Sequence, residues 1–147
     1  MTELQNDLFY TASLLEYTAR VTKNKRAVVA ERIGVQGIQT IFAHAEVNHC
    51  LPFSQVAEEL IQDYDIPTGT FAPENRAEKI PSASEIGKVY MRLVEDAQAD
   101  FQKYPEELAT IFRSKISEWM TEYESAFYYS PRDYVLDCYR EIKTSEN

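Results

Sequence analysis

Apolar positions recur along this chain at intervals of three and four, the period of a helix that buries one face. Leu8, Ala12, Leu15 and Ala19 keep that spacing, and Phe9 and Leu14 widen the stripe, which predicts a first helix from about Asp7 to Val21. Asn24 is suited to cap a second helix carrying Val28, Val29 and Ile33, with Gly34 as its stop. A third helix, about Gln36 to Val47, groups Ile38, Ile41, Phe42 and Ala45 before Pro52 ends this part of the chain. Ser54 is placed to cap a fourth helix through Val56, Ala57, Leu60, Ile61 and Tyr64.

The period lapses from Asp65 to Pro81, a 17-residue connection holding Pro67, Gly69, Pro73 and Pro81. Connections of that length are uncommon inside a compact domain, and are usually functional or poorly ordered. Beyond it, Ser82-x-x-Glu85 forms a capping box, followed at helical spacing by Ile86, Val89, Tyr90, Leu93, Val94, Ala97 and Phe101. Gly87 sits early in that helix, where a missing side chain allows a close helix contact. Pro105, with Glu106 and Glu107 behind it, opens a second long helix carrying Leu108, Ile111, Phe112, Trp119, Tyr123 and Phe127. Ser130-Pro131-x-Asp133 repeats this start for a short last helix with Val135, Cys138, Tyr139 and Ile142. No strand-like alternation persists and no segment repeats. The expected fold is all-α: an irregular bundle of six or seven helices in a single domain, residues 1–147, interrupted by the connection at 65–81.

Composition agrees with a folded core, since 44% of residues are hydrophobic and 12% aromatic. Charge changes the picture more. The formal net charge is −9, and residues 1–55, with five acids and five bases, contribute none of it. Residues 56–147 hold the remaining 19 acids and 10 bases. A surface this negative repels phosphate backbones and anionic membranes, and suits a basic protein partner. No run approaches the ~20 apolar residues of a membrane span, and no signal-like segment opens the chain. A cytoplasmic location is therefore expected, with Cys50 and Cys138 as reduced thiols packed as small apolar residues.

Against that acidic background, four bases fall within seven residues: Arg20, Lys23, Lys25 and Arg26. If a helix starts at Asn24, its free backbone N–H groups and these cations form a candidate anion or nucleotide-phosphate site. No Gly-rich phosphate loop accompanies them, and a solvated turn facing the acidic half of the protein is the simpler reading. Residues 27–47 have the outline of a helix-turn-helix around Gly34, but Val35 to Val47 contains no Lys or Arg, so nucleic-acid binding is poorly supported. His44, Glu46, His49 and Cys50 lie close in sequence, yet their spacing fits no common zinc pattern, and helix-end hydrogen bonding accounts for them better. No hydrolase signature is present. No catalytic residue, metal ligand or cofactor is therefore assigned. Glu16, within a largely apolar helix, is accounted for by ordinary amphipathic placement.

The last third is rich in aromatics, among them Trp119, Tyr123, Phe127, Tyr128, Tyr129, Tyr134 and Tyr139. Such side chains wedge helical cores and also anchor interfaces. Tyr128 and Tyr129 fall at a helix end where both cannot point inward, so Tyr128, Tyr129 and Tyr134 are the candidate interface residues, for a partner protein or a second copy of the chain.

Leu8-Phe9-Tyr10 through Glu16-Tyr17, Thr22 to Arg26, Asn48-His49-Cys50, Ile86 to Tyr90 and Phe127-Tyr128-Tyr129 together resemble a family of short uncharacterised all-helical bacterial proteins with no assigned activity. The resemblance implies a bacterial, cytosolic protein and carries over no functional residue. The expected function is a non-enzymatic protein-interaction module, accessory, inhibitor- or antitoxin-like, or regulatory. The alternatives are a small-ligand or nucleotide-phosphate binder or enzyme using the basic turn at 20–26, and helix-turn-helix-like DNA binding through 27–47.

Overall fold

The computed structural model describes residues 1–124 and 127–146. Among them are eight α-helices, six of seven residues or more, and no strand. The all-α expectation holds, and the differences lie in where helices start and break.

Helix α1 (Glu3–Thr22) begins a turn earlier than its apolar stripe suggests. Thr2 and Gln5 form a capping box, each side chain bonding the other's backbone N–H. From Tyr10 to Glu16 every residue of α1 is buried, so this helix is the centre of the bundle rather than an amphipathic flank. It packs chiefly on α5 (Ala83–Ala97), and also meets α2 (Arg26–Ala43), α4 (Phe53–Asp63) and α6 (Tyr104–Arg113). Its buried threonines are satisfied by turning back on the helix: Thr18 Oγ1 donates to the Leu14 carbonyl at 2.8 Å, and Thr22 Oγ1 to that of Thr18 at 2.8 Å. The α1–α5 contact depends on Gly87, as the sequence indicates. A Cβ there would lie 2.1 Å from Ser13 Oγ and 2.9 Å from the Ser13 backbone.

The second and third expected helices are the two arms of α2, which kinks at Gly34 with φ +74°, a conformation open to glycine. Asn24 is not its cap. Lys25 takes that position without a side-chain bond, and Asn24 is buried, donating from Nδ2 to Thr22 Oγ1 at 2.9 Å and to the Pro67 carbonyl at 2.7 Å. A single turn, α3 (Ala45–Asn48), follows. Pro52, rather than Ser54, precedes α4.

Helix α5 starts at the expected Ser82–Glu85 capping box but ends at Ala97. Phe101 is consequently not in the core; it lies 55% exposed in a 3-10 turn. The second long helix is also broken. Ser114 is extended (ψ 164°), separating α6 from α7 (Ile116–Met120). Its Oγ accepts from the Ile116 N–H at 3.3 Å while Ser117 Oγ donates to its carbonyl at 2.8 Å. Local serine bonds of this kind compete with the helical ladder. Helix α8 (Arg132–Glu146) closes the fold against α5 and α7 and is longer than expected.

The 65–81 connection is a strap tied to the rest of the protein. Gly69 N–H donates to the Thr22 carbonyl at 2.8 Å and Phe71 N–H to that of Lys23 at 2.8 Å. A Cβ on Gly69 would meet the Lys23 carbonyl oxygen at 2.3 Å, so the strap needs glycine to lie this close. A 3-10 turn at Pro73–Arg76 then points Glu74 toward α1 and α2. No helix among the described residues is long and apolar enough to cross a membrane.

Candidate functional site

The basic run does not gather on the surface. Arg26, at the start of α2, has no exposed side-chain area, and neither has Glu16 on α1. Arg26 Nε donates to Glu16 Oε1 at 2.9 Å and Nη2 to Oε2 at 2.7 Å, a two-pronged guanidinium–carboxylate pair. Arg20, one turn beyond Glu16, adds Nε to Oε2 at 2.8 Å. From the strap, Glu74 accepts from Arg26 Nη2 at 3.0 Å and lies 3.7 Å from Arg20 Nε. Tyr123, after α7, donates to Glu16 at 3.2 Å or Glu74 at 3.2 Å, and its ring lies under the Arg20 guanidinium at 5.2 Å.

Two carboxylates thus face two guanidiniums with one phenol between them. Burial works against the Glu16 carboxylate, but Arg26 and then Arg20 outweigh it and hold its pKa below the usual carboxylate value. The same pairing, against its own burial, raises Arg26. Burial and then Glu16 push the Tyr123 phenol up, and Tyr90 well up. Glu16 is held ionised and Tyr123 protonated, so neither is poised to exchange a proton near neutrality. The cluster is charge-balanced, and its chemistry is that of a lock: it fixes the strap and Tyr123 onto α1 and α2. A depression of about 360 Å³ lies over it, lined by Lys25, Phe71, Arg76, Tyr123 and three acids, Glu118, Glu122 and Glu124.

The structure divides the four residues expected to bind an anion. Arg20 and Arg26 turn inward to internal carboxylates. Lys23 stands exposed in a left-handed turn (φ 57°), and Lys25 reaches Glu118 at 3.2 Å. They do not converge on a ligand position. Glu16, read from sequence as ordinary, is the hub; its only sequence signal was a carboxylate within an apolar stretch, ten residues before Arg26.

The histidines do not converge either. His44 Nδ1 bonds the Thr40 carbonyl at 2.9 Å, His49 Nδ1 bonds the Glu46 carbonyl, and Cys50 Sγ is 3.9 Å from His49 Nε2 on the exposed surface. No group of three metal-ligating side chains occurs among the described residues. The second arm of α2 exposes Gln36, Gln39 and Thr40, without a cation.

The predicted interface residues are brought near one another. Trp119 and Phe127 stack with centroids 5.6 Å apart, and Phe127 meets Tyr134 at 6.0 Å. Tyr128 and Tyr129 pack edge to face at 4.8 Å. Tyr128 donates to the Glu85 carboxylate, which ties it to the start of α5. Tyr129 and Tyr134 are left 69% and 54% exposed. The result is two ring groups that meet in sequence at Phe127 and Tyr128, an aromatic ledge whose inner edge is tied to α5 and whose outer tyrosines are exposed. Compared with known proteins, the chain matches no family model, no curated protein and no solved structure.

Proposed function

We propose that this protein is a non-enzymatic interaction module that binds a basic partner protein through the ledge formed by Trp119, Phe127, Tyr129 and Tyr134. The observation carrying this reading is that Tyr129 and Tyr134 stand more than half exposed on a supported aromatic stack. Tyrosines of this kind give contact area at low entropic cost and are enriched among binding hot spots. The surroundings select the sign of the partner. The ledge lies in the part of the chain that carries the whole net charge of −9, with Glu118, Glu122, Glu124, Asp133 and Asp137 within a few positions of its residues in sequence. The same charge disfavours a second copy of this chain and any nucleic acid. The buried lock supports the reading from the other side, because it ties up Arg20, Arg26 and Glu16, the groups a catalytic or phosphate site would have used.

The test is a pull-down from bacterial lysate with the tagged chain, with and without nuclease. The expected result is one basic protein in near-equal amount, insensitive to nuclease and lost with the Tyr129→Ser/Tyr134→Ser variant. Recovery that vanishes with nuclease, or persists in that variant, overturns it.

A further inference from the structure

A second cavity lies away from both the lock and the ledge, and shares no residue with either. It measures about 540 Å³ and opens between the first turns of α1, the turn α3 and the start of α4. That size is within the range of small-molecule sites, ~300–1,000 Å³. Phe9, Tyr10 and Phe53 give it aromatic walls, with the Tyr10 and Phe53 rings 5.6 Å apart. Tyr17 extends this stack from the other side of Phe53, also at 5.6 Å. Three carboxylates line the same cavity: Glu3 and Asp7, one helical turn apart on α1, and Glu46 on α3. None of the three has a salt bridge among the described residues. His49 lines the cavity as well, with its Nδ1 bonded to the Glu46 carbonyl.

The Tyr10 ring is 7% exposed and forms part of the cavity wall, so the wall it gives is fixed by the core behind it. Aromatic faces and carboxylates attract the same class of molecule. A cation gains from the ring quadrupoles and from the unpaired acids, and an anion or neutral apolar molecule gains from only one or neither. Burial and Glu3 push the Asp7 pKa up, with His49 pulling it back, and a bound cation would lower it by relieving that crowding.

We propose that this cavity is a binding site for a small organic cation, an amine or guanidinium group, held by Glu3, Asp7 and Glu46 against the faces of Phe9, Tyr10 and Phe53. The probe pair that tests it is benzamidine and its neutral twin benzamide, titrated into the 15N-labelled chain and followed by amide chemical shifts. Benzamidine is expected to saturate, with shifts confined to the first turns of α1 and to residues 45–53, and to bind roughly tenfold tighter than benzamide. Asp7→Asn/Glu46→Gln should weaken benzamidine by roughly tenfold and leave benzamide unaffected. Both positions border solvent and neither anchors the core, so the variant folds, which its own amide spectrum verifies. Equal binding of the two probes, shifts elsewhere, or an unaltered affinity in the variant overturns the proposal. Agmatine and N-acetyl-arginine amide then separate the sources of the cation. Binding of agmatine alone assigns the site to a small free cation, binding of both assigns it to a guanidinium presented by a peptide, and binding of neither overturns it.

Discussion

The lock and the ledge invert the usual placement of side chains. In the lock, two carboxylates and two guanidiniums lie inside, with Arg26 and Glu16 fully buried. At the ledge, Tyr129 and Tyr134 stand in solvent at 69% and 54% exposure. Of the basic run at 20–26, Arg20 and Arg26 are internal structure while Lys23 and Lys25 stay outside, and of the three tyrosines expected at an interface, Tyr129 and Tyr134 form outward surface. Burial of charge is tolerated only when every group is paired. Exposure of a supported aromatic stack has no such structural return, and the proposed function rests on it.

The comparison can be broken first at its strongest point. Glu16→Ala leaves Arg26 buried with Glu74 as its remaining carboxylate, beside Tyr123 and the Asn24 carbonyl, and such removals cost about 3–5 kcal/mol. Urea unfolding should show that loss, and adding Arg26→Met should recover part of it, because the orphaned charge is then gone as well. Gly87→Ala comes next. It forces a Cβ onto Ser13 at the α1–α5 contact, an overpacking worth about 1–3 kcal/mol by the same measurement, and separates steric closeness from charge as the source of rigidity.

Acid offers a gentler test of the lock. Glu16 has a folded-state pKa below its unfolded value, so its contribution is complete above the unfolded value of about 4.3 and is lost as pH falls through the folded one. Wild-type stability should therefore fall below about pH 4 more steeply than that of Glu16→Ala, in unfolding curves taken across that range. The smallest effect belongs to Tyr90→Phe. The Tyr90 hydroxyl is buried with no partner beside the cluster, so its removal should be neutral or stabilising by up to about 1 kcal/mol. A clear destabilisation would show that the lock extends to Tyr90.

Much of the fold was legible because helical periodicity and capping chemistry are local. The Ser82–Glu85 box, Pro105 in a first turn and the Gly34 kink all stand where the sequence puts them. The misses have local causes too. Thr2 and Gln5 cap α1 before its apolar stripe starts, and the Ser114 and Ser117 side chains interrupt a stripe whose spacing continues unbroken from Leu108 to Phe127. The lock was not legible, because it joins positions 16, 20, 26, 74 and 123, which no pattern in sequence connects. Glu74 gave no sign of itself in a stretch that reads only as proline-broken. The ledge was half legible: two adjacent tyrosines at a helix end must part ways, but the sequence does not say that Tyr128 would bond Glu85 and leave Tyr129 outside.

The lock holds the fold together, and the ledge, the surface proposed for a partner, does not. Urea unfolding of Glu16→Ala beside Tyr129→Ser/Tyr134→Ser tests it most directly. The account predicts a loss of about 3–5 kcal/mol for the first and a change within about 0.5 kcal/mol for the second. A loss of about 2 kcal/mol or more in the tyrosine variant, or an unaltered midpoint in Glu16→Ala, would contradict it by making the ledge part of the core or the cluster dispensable.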